Sequence, residues 1–151
     1  PSLAKAITED FKIISWSPDE TKILYTASQS AIIPNIIKPP LIGTNPTPET
    51  RLVQKDLVYI YDIEEDKNFK IADSLSNFQS LTWFSDSKHL ISVNNRQISI
   101  IEYDGTNKTT VYAGPFIDGF VFPWPDSSKL LILTDLGNSN TSPNLYTIGL
   151  K

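Results

Sequence analysis

Residues 13–25 read IISWSPDETKILY, and this stretch decides the fold because it occurs twice more in altered form. Residues 80–92 read SLTWFSDSKHLIS, and residues 120–132 read FVFPWPDSSKLLI. Each unit is an apolar segment, a short turn centred on an aspartate, a lysine and a second apolar segment. Two apolar segments joined by a short polar turn are typical of a β-hairpin. The sequence therefore predicts three copies of one hairpin.

The turn in each unit has a physical basis in its aspartate, which is Asp19, Asp86 or Asp126. An aspartate side chain accepts hydrogen bonds from backbone amides about two residues further on, and so stabilises a reversal of the chain. Pro18 and Pro125 precede two of the aspartates and fix φ at a value that suits a turn. We expect turn stabilisation rather than cation binding, because one carboxylate per repeat is a poor geometry for a shared metal ion.

Further apolar segments follow each hairpin and make the repeat longer. A third segment occurs at residues 57–62, 97–102 and 144–149, and the first two units have a fourth, at residues 69–72 and 109–113. Four-stranded repeats of about 40–45 residues are typical of β-propeller blades. Asp86 and Asp126 are 40 positions apart, whereas Asp19 and Asp86 are 67 apart. The excess of 27 equals the length of residues 29–55, which we interpret as an insertion in the first blade.

These segments predict an all-β domain, residues 1–151, of about three four-stranded antiparallel blades. The blades span about 10–73, 79–114 and 117–151, and the third lacks its fourth strand. Residues 4–8 have no partner in the first unit and are predicted to be the fourth strand of a preceding blade.

Three blades are too few for a closed ring, because propellers close with about 4–8 blades. Three arrangements would resolve this. The chain, which begins at Pro1 without a methionine, is a partial propeller cut from a longer protein. Alternatively, two chains form a homodimer with a six-bladed ring around a two-fold axis, or the blades form an open arc capped by the insertion.

Composition excludes several classes of function. The chain has no cysteine and one histidine, His89, which excludes disulfides, thiolate sites and multi-histidine metal sites. A net charge of −4 at pH 7 disfavours nucleic-acid binding, and no apolar run approaches the roughly 18 residues that a membrane span needs. Neither a Gly-x-Ser-x-Gly elbow nor a phosphate loop occurs. We therefore predict no catalytic residue, cofactor or metal, and expect His89 to be exposed or half-packed.

The insertion at residues 29–55 is the most distinctive segment. It holds five prolines between positions 34 and 48, a density that predicts no regular strand or helix. Six aliphatic side chains lie within eleven of its residues, which leads to two interpretations. They form a protein-binding loop, since long loops in compact domains are often functional, or they cover a blade face of this chain or of a second copy. With Arg51, they are the candidate partner-binding residues: Ile32, Ile33, Ile36, Ile37, Leu41, Ile42 and Arg51.

Three other features have ordinary interpretations. Glu49 and Arg51, near the end of the insertion, are expected to be solvated charges. The acidic run at residues 62–66 is expected to be a solvated turn between the third and fourth strands. The tryptophans of the three units favour packing between repeats over an aromatic platform for a sugar or peptide; they are Trp16, Trp83 and Trp124.

These units resemble the repeats of TolB-like β-propellers, and are similar to the propeller domains of prolyl oligopeptidases and the tricorn protease. The family's turn reads Ser-Trp-Ser-Pro-Asp-Gly-Lys, which residues 15–22 match well, with Glu20-Thr21 in place of the glycine. Residues 83–88 and 125–129 match in part, and residues 59–62 resemble the third strand of the family's blades. The resemblance implies the propeller fold and an extracytoplasmic, bacterial-envelope location. For function it implies binding, scaffolding or substrate gating.

Two functions of different classes follow. The first is a non-enzymatic protein-interaction or scaffold module that presents its loops, above all the insertion, to a protein partner. The alternative is a substrate-gating propeller segment of a larger hydrolase, which the resemblance to prolyl oligopeptidases implies. We favour the first, because the sequence shows no convergent set of titratable groups for acid–base chemistry.

Overall fold

The computed structural model describes residues 2–138 and 140–150. Ser139 and Lys151, which belong to the predicted third blade, and Pro1 lie outside the described residues. The chain forms two compact units. Unit 1 comprises the residues up to Asn77 together with Tyr103–Thr106, and unit 2 comprises Phe78–Glu102 together with the residues from Asn107 onward. That the whole chain is one domain stays a prediction.

Unit 1 contains the first blade, a four-stranded antiparallel sheet in the order β1-β2-β5-β6. A separate ladder of two strands, β3 and β4, lies within the insertion. The strands of unit 1 are β1 (Phe11–Trp16), β2 (Lys22–Ala27), β3 (Ala31–Ile32), β4 (Leu52–Val53), β5 (Val58–Asp62) and β6 (Lys67–Ala72).

The core of unit 1 is built on the two central strands of this sheet. Every residue of β2 and β5 is buried. Tyr25 lies opposite Tyr59 in the ladder, and its ring stacks on Phe11 with 3.6 Å between ring centroids. The buried hydroxyl of Tyr25 donates to Oδ1 of Asn68 at 2.5 Å, so the aromatic core keeps its polar group paired.

The insertion leaves the first blade after β2 and returns just before β5, where hydrogen bonds join its two ends. The Ala27 amide donates to the Leu57 carbonyl at 3.2 Å, and the Asp56 amide donates to the Ala27 carbonyl at 2.9 Å. Beyond this point, Ala31 pairs with Val53 and Ile32 with Leu52. The expectation of no regular strand is therefore wrong at both ends of the insertion, because these end residues lie outside the proline-rich stretch and their amides are free to pair.

The strand predicted at residues 4–8 is also wrong, because Leu3–Glu9 forms a helix, α1. The Ser2 hydroxyl caps the helix by accepting from the Lys5 amide at 3.2 Å. Leu3, Ala6 and Ile7 follow the spacing of one helical face, and all three pack against the core of unit 1. In the sequence, the spacing of these three apolar residues favours a helix over a strand.

Unit 2 contains two antiparallel sheets, one for each remaining blade. The second blade has the order β10-β9-β8-β7, and the third has the order β11-β12-β13. The two sheets share a core in which Ile91 and Ile98 are clustered with Leu130 and Ile132. The strands of unit 2 are β7 (Ser80–Trp83), β8 (His89–Asn94), β9 (Gln97–Glu102), β10 (Thr109–Ala113), β11 (Val121–Pro123), β12 (Lys129–Thr134) and β13 (Asn144–Gly149).

The three aspartate turns share one geometry. In each turn the aspartate accepts from the amide two positions further on, at 2.8–3.1 Å. The residue after the aspartate takes a left-handed φ: 62° for Glu20, 59° for Ser87 and 62° for Ser127. This is the position at which the TolB-like pattern has glycine, the residue that adopts such φ values at least cost. The predicted turn role of the aspartates is confirmed.

Four-stranded antiparallel blades are confirmed for the first two repeats, and the third has three strands among the described residues. A short 3-10 helix, Leu75–Asn77, follows β6. Within residues 2–138 and 140–150, no helix has the length and apolar character needed to cross a membrane.

Candidate functional site

The insertion is held to the first blade by a buried carboxylate, Asp66, whose side chain is 4% exposed. Its Oδ2 accepts from the backbone amides of Ile36 at 2.6 Å and Ile37 at 2.8 Å. Its Oδ1 accepts from the Tyr61 hydroxyl and from Nη1 of Arg51, the latter at 3.0 Å. Burial alone raises the pKa of Asp66, but hydrogen bonds from Tyr61, Ile37, Ile36 and Arg51 outweigh it and hold the pKa below its usual value.

Arg51 joins both arms of the insertion to the blade. Nη1 also donates to the Pro34 carbonyl at 3.1 Å, Nη2 donates to the backbone carbonyl of Asp66, and Nε donates to Glu49 at 3.1 Å. Burial lowers the pKa of Arg51, whereas the hydrogen bonds to Asp66 and Glu49 raise it by more, so the guanidinium stays charged. The planar donor fork of arginine suits such simultaneous contacts.

A second set of polar contacts fixes the far part of the insertion. Nδ2 of Asn45 donates to the Tyr103 hydroxyl at 3.0 Å and to Asp104 at 2.9 Å. The Thr47 hydroxyl donates to the same Asp104 oxygen at 2.7 Å, and Nζ of Lys67 donates to the Asn45 carbonyl. The insertion is therefore tied down at two separate places along its length.

The aliphatic side chains of the insertion lie mostly on its surface. Ile33 alone among the six is buried, at 1% exposure, and packs in the core of unit 1. Ile37 is partly buried. Ile32 is 73% exposed and Ile42 fully exposed, and about half of the Ile36 and Leu41 side chains is accessible. Burial against this chain's own core is thus confirmed for Ile33 and does not occur for the four exposed side chains, whose burial against a second copy stays a prediction.

Two expectations about charge are corrected. Arg51 is not a solvated charge, since its side chain is 15% exposed; Glu49 is exposed as expected, but its carboxylate is bonded to Arg51. The acidic run at residues 62–66 is not a solvated turn throughout, because Asp62 and Asp66 are buried. Asp62 lies 3.8 Å from Nζ of Lys22, so both buried carboxylates have a cationic partner, as buried charges require. The local sequence does not distinguish Asp66 from a solvated turn residue, because the groups that donate to it lie 5 to 30 positions away along the chain.

The remaining candidates are distributed over the turns. His89 is half-buried as expected, and its Nδ1 lies 2.6 Å from Oδ2 of Asp86. Trp83 is buried, which agrees with packing between repeats, but Trp16 and Trp124 are 44% and 40% exposed. Nζ of Lys129 lies 4.6 Å from the ring centroid of Trp124. The structure therefore supports the packing interpretation for Trp83 alone.

Comparison with solved structures finds similar folds in much longer proteins. The tricorn protease matches 87% of this chain with a TM-score of 0.52 and 12% identity, over 11% of its own length. An oligogalacturonate lyase in complex with manganese matches 91% of the chain with a TM-score of 0.50 and 14% identity, over 34% of its length. Both are β-propeller proteins, which confirms an all-β fold of propeller-type blades. At these identities the likeness shows the fold alone.

The chain thus spans about a third or less of each of these two proteins. No protein-family description matches the sequence, and no curated protein does.

Proposed function

We propose that this chain is a non-enzymatic protein-interaction module of the TolB-like propeller type, and that it binds a protein partner through the insertion. The observation that carries the proposal is an ordered backbone with exposed aliphatic side chains in one segment. The amides of Ile36 and Ile37 are fixed on Asp66, yet the side chains of Ile32 and Ile42 are largely or fully exposed.

This arrangement suits binding for an energetic reason. A loop that is already ordered loses little conformational entropy when it meets a partner, so more of the contact energy appears as affinity. The exposed aliphatic side chains supply apolar area that a partner can bury, at about 25 cal/mol for each Å². Arg51 is a positioning residue in this proposal, because its donors are directed at Glu49, Pro34 and Asp66.

We propose, as a separate contact, that this chain associates with a second copy of itself through the edge of the third blade. The edge strand β13 is largely exposed, with Leu145 58% and Tyr146 39% accessible. An exposed edge strand with apolar side chains favours pairing with another chain. Light scattering on a sizing column, over a range of concentrations, tests this: a dimer supports the proposal, and a monomer at every concentration refutes it.

The insertion is tested by replacing three of its exposed aliphatic side chains together, Ile32→Ser, Leu41→Ser and Ile42→Ser. The matched control is Leu75→Ser, another exposed leucine of unit 1, which is 41% accessible. Because all four side chains lie on the surface, both variants should unfold at nearly the wild-type denaturant concentration.

The binding assay is quantitative affinity capture from extracts of the source cells, followed by affinity measurement with the purified partner. We expect the wild type and Leu75→Ser to retain the same protein, and the triple variant to bind it at least about tenfold more weakly, because several buried aliphatic contacts are lost. Equal affinity of the triple variant and the control would refute the role of the insertion.

A further inference from the structure

A small polar cavity in unit 2 lies apart from the residues of the insertion. Its volume is about 170 Å³, below the roughly 300–1,000 Å³ typical of small-molecule sites, so it suits a compact ligand. All of its lining residues belong to the second blade and its β9–β10 connection: Ser92, Asn94, Asn95, Gln97, Ser99 and Lys108.

The strand register brings four of these side chains to one face of the second blade. Ser92 pairs with Ser99 across β8 and β9, and Asn94 pairs with Gln97. Residues opposite each other in an antiparallel ladder share a face of the sheet, as do residues two apart along a strand. The cavity is therefore built from the side chains of one sheet face, and Asn95 joins them from the turn between the two strands.

The floor of the cavity is formed by two hydroxyl groups. Ser92 and Ser99 are each 3% exposed, and the Ser99 hydroxyl lies 3.2 Å from that of Thr110. The Ser92 hydroxyl has no hydrogen-bond partner among the described residues. It is not sealed in the core either, because Trp83 Nε1 is the one unpaired side-chain N or O atom that is fully enclosed in the described part of the chain. The Ser92 hydroxyl is thus directed into the cavity, and a buried polar group left unpaired calls for a partner.

The rim of the cavity carries further hydrogen-bond donors. Asn94, Asn95 and Gln97 end in amides and Lys108 ends in an ammonium group, and all four residues are exposed. Within the described part of the chain, none of these four side chains makes a hydrogen bond or an ion pair. Each amide offers two donors, and the ammonium group offers three donors and a positive charge. The single charge on the lining is therefore positive, in a chain whose net charge is −4.

We propose that this cavity binds a small oxyanion, namely the carboxylate or phosphate group of a compact molecule. Its oxygens accept from the Ser92 hydroxyl at the floor and from the amides at the rim, while Lys108 supplies the opposite charge. Hydrogen bonds to an ionised acceptor are roughly twice as strong as those between neutral groups. The cavity should therefore bind an anion more tightly than a neutral molecule of the same shape.

The test uses the full chain at pH 7 and three probes: acetate, inorganic phosphate and acetamide, which has the shape of acetate without its charge. Sodium chloride keeps the ionic strength constant, and an NMR spectrum follows the side-chain amide signals of Asn94, Asn95 and Gln97. We expect acetate or phosphate to shift these signals saturably, with a millimolar dissociation constant, and acetamide to bind at least about tenfold more weakly. Tighter binding of acetate would identify a carboxylate site, and tighter binding of phosphate a phosphate site.

The variants Ser92→Ala and Lys108→Gln should each weaken binding of the tighter oxyanion about tenfold, while the spectrum stays that of a folded chain. The matched control is Lys88→Gln, which removes an exposed lysine of the same unit that does not line the cavity, and it should leave the affinity unchanged. The proposal is overturned if neither oxyanion shifts the three amide signals saturably, or if acetamide binds as tightly as the tighter oxyanion. It is also overturned if Ser92→Ala leaves the affinity unchanged, or if Lys108→Gln weakens binding no more than Lys88→Gln.

Discussion

The substitution Asp66→Asn tests the polar anchor of the insertion most directly. In the wild type, four donors converge on this carboxylate: two backbone amides, a tyrosine hydroxyl and Arg51. An asparagine has the same shape but only one oxygen and no charge. We therefore expect at least two of the four donors to lose their acceptor.

The magnitude follows from burial. A buried donor left without an acceptor costs about 1–3 kcal/mol, and breaking a buried ion pair by removing one partner costs about 3–5 kcal/mol. Arg51 keeps its contacts with Glu49 and with two carbonyls, which reduces the loss. We expect Asp66→Asn to lower the free energy of unfolding by about 3 kcal/mol at pH 7.

The loss should depend on pH in one direction. The pKa of Asp66 is lower in the folded chain than its usual value, so as the pH falls the unfolded chain takes up the proton first and stability declines. The wild type therefore exceeds Asp66→Asn in free energy of unfolding by the full amount above about pH 4, and this difference shrinks as the pH falls through the pKa of folded Asp66. Asp66→Asn has no carboxyl at this position, so its free energy of unfolding lacks this pH dependence and should approach that of the wild type at low pH.

Urea unfolding at pH 7 and at lower pH, with amide hydrogen exchange at Ile36 and Ile37, measures both effects. The control is Asp73→Asn, whose carboxylate is 78% exposed and paired with Lys70, and it should change stability little because exposed ion pairs contribute little. Any of three results would contradict this explanation: Asp66→Asn is as stable as Asp73→Asn, the difference in free energy of unfolding between the wild type and Asp66→Asn is the same at every pH, or the Ile36 and Ile37 amides exchange no faster in Asp66→Asn.

Two further predictions concern the first blade. Burial raises the pKa of Asp19, but hydrogen bonds from Ser17 and Thr21 lower it to about 2, and an NMR titration should show this value. The variant Thr21→Val should raise the pKa of Asp19. An unchanged pKa in the variant would contradict the role given to the Thr21 hydroxyl. Lys22→Met leaves the buried Asp62 carboxylate without its cation and should cost about 3–5 kcal/mol. Burial already raises the pKa of Asp62 in the folded chain, so the folded variant holds a proton more tightly than the unfolded one. The variant should therefore be less stable at pH 8 than at pH 5. Equal free energies of unfolding in urea at the two pH values would contradict this prediction.

The fold could be predicted from sequence because it rests on local rules repeated three times. Strands β9, β10 and β13 match the predicted segments residue for residue, since alternating or continuous apolar runs between turn residues specify strands directly. The helix at Leu3–Glu9 was not predicted, because a segment of seven residues is too short for the helical spacing of Leu3, Ala6 and Ile7 to be told from a strand by periodicity alone. Short segments of this kind are ambiguous until their caps are considered.

The site was predicted less well, because its geometry depends on long-range polar contacts. The insertion was recognisable from its prolines and isoleucines, but sequence gave no means of telling the buried Ile33 from the exposed Ile32. Arg51 and Asp66 are 15 positions apart. They meet because the segment before β4 runs beside the start of β6, where the Thr50 amide donates to the Asn68 carbonyl at 2.8 Å. No periodicity encodes such a pair, so its role became visible only in the folded chain.

The hydrogen bonds between Ala27 and residues 56–57 close the first blade at the base of the insertion. Ile33 and Val53 belong to the core of unit 1 and Arg51 pairs with the buried Asp66, so the two arms of the insertion are part of the blade. The tip between them, residues 38–44, is different, because it projects beyond the contacts made on Asp66 and by Asn45. Doubling the length of a flexible connection costs only about 0.6 kcal/mol, so a peptide grafted in place of this tip should leave the strands of the blade in register.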